Sequence, residues 1–135
     1  MALDVWVGYP SRNNPENLIV AFEPEAYYTF LYSLFEDFAA RHGKMIDQYA
    51  GTEFNGSKQL DKVLELVESA KSLIAAQPAR FDVHMGTFLG SAIKPCHEEI
   101  YHTVTRAEYL AFVERLRFAV LEAKKKGESL WFVGD

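Results

Sequence analysis

The chain has 135 residues, of which 49% are apolar or aromatic and 24% are charged, a balance typical of one folded domain and not of a disordered segment. Fourteen Lys and Arg residues against 19 Asp and Glu residues give a formal charge of −5 at pH 7. This balance argues against a protein that binds nucleic-acid phosphates, because such proteins need clustered positive charge. It is compatible with a basic protein partner.

The cysteine content and the hydropathy pattern predict the compartment. Cys96 is the single cysteine, which excludes an internal disulfide framework and fits a reducing environment. No segment has the features of a secretion signal, and none has the roughly 18 apolar residues that are needed to span a bilayer. These features predict a cytoplasmic protein without a membrane partner.

The first half of the chain predicts two strands, two helices and a loop. The apolar runs Leu3–Gly8 and Asn17–Phe22 are rich in β-forming residues and end at turn signals, so each is predicted to be a strand. Aromatic residues at spacings of three and four predict a helix over Pro24–Arg41. The segment His42–Gly56 has no sustained period and is predicted to be a variable surface loop. A second amphipathic helix is predicted over Lys58–Ala76.

The second half of the chain predicts a hairpin, a long helix and a last strand. The alternating pattern of Arg80–Leu89 and the run His97–Val104 predict the two strands of the hairpin, the second at an edge or partly exposed. Thr105 with Glu108 three residues later predicts a capping box at the start of the helix. Leu130–Val133 is predicted to be an apolar strand.

The predicted order of elements is β-β-α-α-β-β-α-β, without a repeat or a linker that would divide the chain. The sequence therefore predicts a single α+β domain over residues 1–135. Its expected architecture is one mixed or antiparallel sheet of about five strands packed against three helices.

The hairpin carries the residues best suited to hold a metal ion. If its strands pair, His84, His97 and Glu99 gather on a polar face, and imidazole and carboxylate groups are ligands for zinc or another divalent metal. Their spacing matches no diagnostic motif, and such side chains on an open sheet face are usually solvated. A small metal-binding enzyme centred on these three residues is therefore the alternative hypothesis.

No pattern identifies a catalytic residue or a cofactor site. Cys96 precedes His97, but neighbours on a strand point in opposite directions, and Cys96 is predicted to be a small buried or semi-buried residue. Gly86 and Gly90 do not form a nucleotide-binding loop, because the segment does not open a helix and lacks both the lysine of a P-loop and the third glycine of a dinucleotide fingerprint. We therefore expect no cofactor, and the sequence favours a protein that is not an enzyme.

Acidic residues recur beside aromatic residues that we expect to be exposed. Acidic rims around aromatic anchors suit the binding of a basic protein surface. The predicted contact residues are Tyr49, Glu53, Phe54, Glu98, Glu99 and Tyr101.

In its size, its acidity and its lack of a catalytic signature, the chain resembles bacterial immunity proteins of polymorphic-toxin and contact-dependent inhibition systems. The resemblance is one of type and assigns no role to an individual residue. It implies a small cytoplasmic α+β protein that binds and blocks one cognate toxin. A non-catalytic binding protein is therefore the main hypothesis. Besides the metal-binding enzyme, a structural or regulatory homodimer that pairs exposed edge strands is the other alternative.

Overall fold

In the computed structural model, which describes residues 2–134, three α-helices pack on antiparallel strands, so the predicted α+β class is confirmed. In chain order the elements are β1 (Asp4–Val7), a 3-10 turn (Pro15–Asn17), β2 (Leu18–Ala21), α1 (Ala26–His42), β3 (Gly51–Phe54), α2 (Gly56–Ala75), β4 (Arg80–Gly90), β5 (Pro95–Thr105), α3 (Arg106–Lys126) and β6 (Leu130–Val133). Within residues 2–134, none of the helices is long and apolar enough to cross a membrane.

The strands in residues 2–134 divide into two sheets. Four short strands form an antiparallel sheet in the order β2-β1-β6-β3, and β4 pairs with β5 in a separate two-stranded sheet. The strand β3 lies inside the segment that the sequence predicts to be a loop. It pairs with β6 from Gly51 opposite Val133 to Phe54 opposite Leu130. The apolar strand β6 therefore has a partner on both sides, as its composition requires.

An aromatic cluster joins the four-stranded sheet to the helices. Phe22, which directly follows β2, is buried. Its ring contacts Tyr28 and Phe35 of α1 and lies 4.7 Å from the ring of Phe112 in α3, centroid to centroid. On the sheet side it contacts Phe132 of β6. Rings that meet edge to face add about 0.5–1.5 kcal/mol per pair to the gain from burial, so this cluster holds the layers together.

A second aromatic contact joins α1 to the start of α3. The ring of Tyr109 stacks on the ring of Tyr27 at a centroid distance of 4.1 Å, and its hydroxyl group donates a hydrogen bond to the Tyr27 carbonyl oxygen. Burial raises the pKa of Tyr109 above its ordinary value. The hydroxyl group therefore stays protonated and remains a donor at neutral pH.

The capping box predicted at the start of α3 does not form. Thr105 occupies the N-cap position with an extended backbone, but its side chain makes no capping hydrogen bond. Its Oγ1 atom is buried without a hydrogen-bond partner in the part of the chain that the structure describes. Instead, the backbone N–H of Arg106 donates to the carbonyl oxygen of Ala79 at 2.9 Å and ties the helix to the segment before β4.

We expect Tyr109→Phe to lower the free energy of unfolding by about 1 kcal/mol, because it removes a buried hydrogen bond while keeping the ring. Urea unfolding followed by circular dichroism measures the change. Tyr9→Phe is the matched control, since the Tyr9 side chain is 74% exposed. Equal stability of the two variants would contradict the assigned role of the Tyr109 hydroxyl group.

We expect Thr105→Val to leave the free energy of unfolding within about 0.5 kcal/mol of the wild-type value or to raise it. Valine has nearly the same shape and removes an unpaired buried oxygen, and it tolerates the extended backbone at this position. Loss of a working N-cap would instead cost about 1 kcal/mol. A loss of that size in urea unfolding would show that the hydroxyl group does cap α3.

Candidate functional site

The hairpin of β4 and β5 is the main surface feature, and we call residues 80–105 the hairpin arm. Its base packs on the body through the buried side chains of Val83 and Val104. The Phe81 ring also lies 5.1 Å from the ring of Phe30 in α1. Farther out this packing ends, and every residue in the range 91–103 is exposed. The distal half of the arm therefore projects from the body.

The distal half of the arm exposes large apolar side chains. Of the 11 large apolar or aromatic side chains that are exposed within residues 2–134, five lie on the arm, so apolar exposure is concentrated there. These are Phe88, Leu89, Ile93, Ile100 and Tyr101. Ile93 is 91% exposed. A two-stranded hairpin without packing on a face is only marginally stable in water, so this half of the arm lacks the contacts that would normally order it.

An open hollow lies beside these side chains at the tip of the arm. It has a volume of about 650 Å³, and Phe88, Pro95 and Cys96 contribute to its walls. Cys96 is exposed, so the prediction of a buried or semi-buried cysteine is wrong. The reason is that Cys96 lies beyond the part of the arm that packs on the helices.

One face of the arm gathers a hydrogen-bonded cluster around Glu99. The His97 Nε2 atom lies 3.0 Å from Glu99 Oε1, and Thr87 Oγ1 donates to Glu99 Oε2 at 2.9 Å. His84 Nε2 also bonds Glu99 Oε2. Both histidines thus meet the same carboxylate, as the predicted polar face requires. These hydrogen bonds lower the pKa of Glu99 below its ordinary value, and the hydrogen bond from His84 is the largest cause.

The cluster around Glu99 lacks the arrangement of a metal centre. Within residues 2–134, no group of three or more His, Cys, Asp or Glu side chains is arranged to hold a metal ion. Here His84 and His97 each direct Nε2 at the carboxylate. The three residues of the metal-binding alternative therefore lie close together, but their side chains are not arranged to coordinate a metal ion.

Two of the predicted contact residues on the first half of the chain are engaged within the body. Phe54 is only 2% exposed, so its prediction as an exposed anchor is wrong. Pairing of β3 with β6 turns its ring inward against Phe38 and Phe132. Glu53 is partly buried, and its carboxylate accepts a hydrogen bond of 2.6 Å from Ser129 Oγ.

The remaining predicted contact residues are exposed, but they lie in two places. Glu98, Glu99 and Tyr101 lie on the arm, while Tyr49 lies in the segment before β3. Because β3 belongs to the four-stranded sheet, the structure does not join these residues into one surface. The part of the predicted surface with several neighbouring exposed residues is the arm.

Carboxylates on α2 are paired with α3. Asp61 bonds Lys124, and Glu68 lies 3.3 Å from Arg117. These ion pairs leave fewer unpaired carboxylates on the body than the acidic composition alone predicts.

A small cleft between α1 and α2 is a feature that the sequence did not predict. It is lined by Phe38, His42, Lys44, Phe54, Gln59 and Lys62. Lys44 Nζ donates to the side-chain oxygen of Gln59 at 3.1 Å and to the Glu53 backbone. The cleft holds about 50 Å³, far below the roughly 300–1,000 Å³ of typical ligand pockets.

Comparisons of the chain with known protein families, with curated proteins and with solved structures find no match. The functional interpretation therefore depends on the geometry of the hairpin arm.

We expect His84→Ala to raise the pKa of Glu99 toward its ordinary value, because the His84 hydrogen bond is the largest cause of its lowering. His97→Ala is the matched control and should raise it less. The pH titration of the Glu99 carboxyl carbon by NMR measures both changes. An unchanged titration in His84→Ala would contradict the assigned hydrogen bond.

The sign of the accompanying stability change follows from the lowered pKa. A carboxylate whose pKa is lower in the folded state stabilises the fold above the pKa of the unfolded chain, and this contribution is lost as the pH falls through the folded value. The contribution of Glu99 is therefore lost on acidification, and its exposure keeps it small.

Proposed function

We propose that the protein is a non-catalytic cytoplasmic binding protein whose hairpin arm docks on a protein partner. The observation that carries this proposal is the exposed apolar surface of the distal arm, which has no packing partner within residues 2–134. Contiguous exposed apolar side chains typically mark interaction sites. The resemblance to immunity proteins gives the partner a class, namely a toxin that the protein neutralises.

The chemistry of the arm favours a protein partner. Phe88 and Tyr101 offer aromatic anchors, and such residues are enriched at the energetic centres of protein interfaces. Lys94 lines the same hollow as Phe88, and Glu98 is paired with Phe88 across the hairpin, so both supply polar groups beside this anchor, as in the rim of an interface. The open hollow at the tip supports the same interpretation, since it offers a concave apolar surface to an anchor from the partner.

Of the two adjacent glutamates that the sequence predicts as contact residues, one is already hydrogen-bonded within the arm. Glu99 is already bonded by two imidazole groups and by Thr87, so Glu98 is the more available carboxylate of the pair. The formal charge of −5 still attracts a basic partner at long range. Affinity would therefore come mainly from the apolar side chains, and the rate of association from the charge.

We expect affinity capture from the source cells to return one partner in near-equal amount with the wild-type protein and not with Leu89→Ser/Ile93→Ser. Each buried large apolar side chain contributes about 1.5–3 kcal/mol, so the double change should weaken binding more than tenfold. Mass spectrometry at low and moderate salt measures the captured amount. Leu121→Ser is the matched control, because Leu121 is an exposed leucine on α3 outside the arm.

Different outcomes separate the parts of the proposal. Equal capture by wild type and the arm variant would place the contact surface elsewhere, and capture of no partner would remove the binding function. If the captured partner is toxic when expressed alone and harmless when expressed with this protein, the immunity role is supported. A partner without toxicity would retain the binding function and contradict that role.

A further inference from the structure

The two outer edges of the hairpin arm differ in regularity. An extra residue interrupts β4 between His84 and Gly86, and bulges of this kind twist an edge away from further pairing. The other strand pairs regularly from Glu98 to Thr105, and this segment contains neither proline nor lysine. The outer edge of β5 therefore lacks the bulge, the proline and the lysine with which proteins often block pairing of an exposed strand, and its charged residues are Glu98 and Glu99.

We propose that the outer edge of β5 pairs antiparallel with the same edge of a second copy of this chain, in a register centred on Ile100. The contact joins two hairpin arms into one four-stranded sheet. It uses the strand edge, and Leu89 and Ile93 at the tip stay free. The proposal therefore does not depend on the proposed function.

The side chains of β5 select this register. Self-pairing centred on Glu98, Glu99 or His102 would oppose each of these ionisable groups to its own copy. Centring on Ile100 opposes two isoleucines at the symmetry axis, Glu98 to His102, and Glu99 to Tyr101. A carboxylate accepts hydrogen bonds from an imidazole N–H or a phenol O–H, so each opposed pair is complementary. Directly opposed side chains are the main source of specificity between strands.

A register centred on Tyr101 is less suitable. It would oppose Glu98 to Val104, which is 4% exposed and belongs to the packed base of the arm. The carboxylate would then lie against an apolar side chain without gaining a donor. The register centred on Ile100 avoids the base, because it needs only the exposed residues 98–102.

Ile100 has little cover from its own arm. It is paired across the hairpin with Gly86, which has no side chain, and Ile100 remains 44% exposed. The Ile100 side chain of a second copy would supply an apolar contact on the open edge. Five opposed residues per strand form a small interface, so we expect a reversible dimer whose population rises with protein concentration.

A charge-exchange experiment tests this register. Sedimentation equilibrium over a range of concentrations should show a monomer–dimer equilibrium for the wild-type protein. Glu98→Lys and His102→Glu, each measured alone, should dimerise about tenfold more weakly, because each change removes two complementary pairs per dimer. His102→Glu in addition opposes two carboxylates at each of these positions.

The equimolar mixture of the two variants provides the decisive comparison. In a mixed dimer, the introduced lysine of one copy faces the introduced glutamate of the other, and the native His102 faces the native Glu98. Dimerisation of the mixture should therefore return to about the wild-type level. Because the substituted side chains are exposed, circular dichroism should confirm that both variants fold.

Three results would overturn the proposal. A wild-type protein that stays monomeric at every concentration would exclude self-pairing of β5. The outer edge of β5 could then pair only with a strand of another protein. Dimerisation unaffected by both variants would place the contact on another surface, and a mixture that does not recover would exclude the register centred on Ile100. Ile93→Ser is the control. It changes the tip and not the edge of β5, so it should dimerise like the wild-type protein even though it is expected to weaken partner capture.

Discussion

The burial of the Phe22 ring between the four-stranded sheet and two helices is the contact on which the body of the protein depends. It contacts Phe112 of α3 and Phe132 of β6, and it reaches α1 through Phe35. Truncation of such a ring leaves a cavity that costs about 3–5 kcal/mol. An exposed ion pair such as that between Glu68 and Arg117 contributes about 0–1 kcal/mol. Aromatic packing, and not the charges between the helices, therefore determines how the layers assemble.

The same packing accounts for the exposure of the hairpin arm. Phe81 and Val83 contribute their side chains to the core at the base of the arm, where Phe81 meets the rings of Phe30 and Tyr109. The core already combines buried side chains of the three helices with those of the four-stranded sheet and of this base. The distal apolar side chains consequently have no place in the core. The stability of the body depends little on the residues at the tip, because none of them contributes to the core.

The sequence predicts those elements that have a sustained period of their own. The stripe that includes Tyr109 and Phe112 predicts α3, and Leu130–Val133 predicts β6 with the observed boundaries. The strand Gly51–Phe54 was missed because Phe54 is its single apolar residue, so it lacks the apolar run that marks β6. Its pairing with β6 is a tertiary contact. The error at Phe54 has the same cause, since its burial is produced by rings that are distant along the chain.

The cluster around Glu99 was predictable in its residues but not in its geometry, because a bulge sets the register of the arm. If β4 had no bulge, regular pairing beyond His84 opposite Tyr101 would place Met85 opposite Ile100 and Gly86 opposite Glu99. The observed bulge shifts Thr87 opposite Glu99, where its hydroxyl group bonds the carboxylate. It also leaves Ile100 facing a glycine. One inserted residue thus completes the polar cluster on one face of the arm and leaves Ile100 with little cover on the other face. The alternation of residues in the sequence does not reveal this bulge.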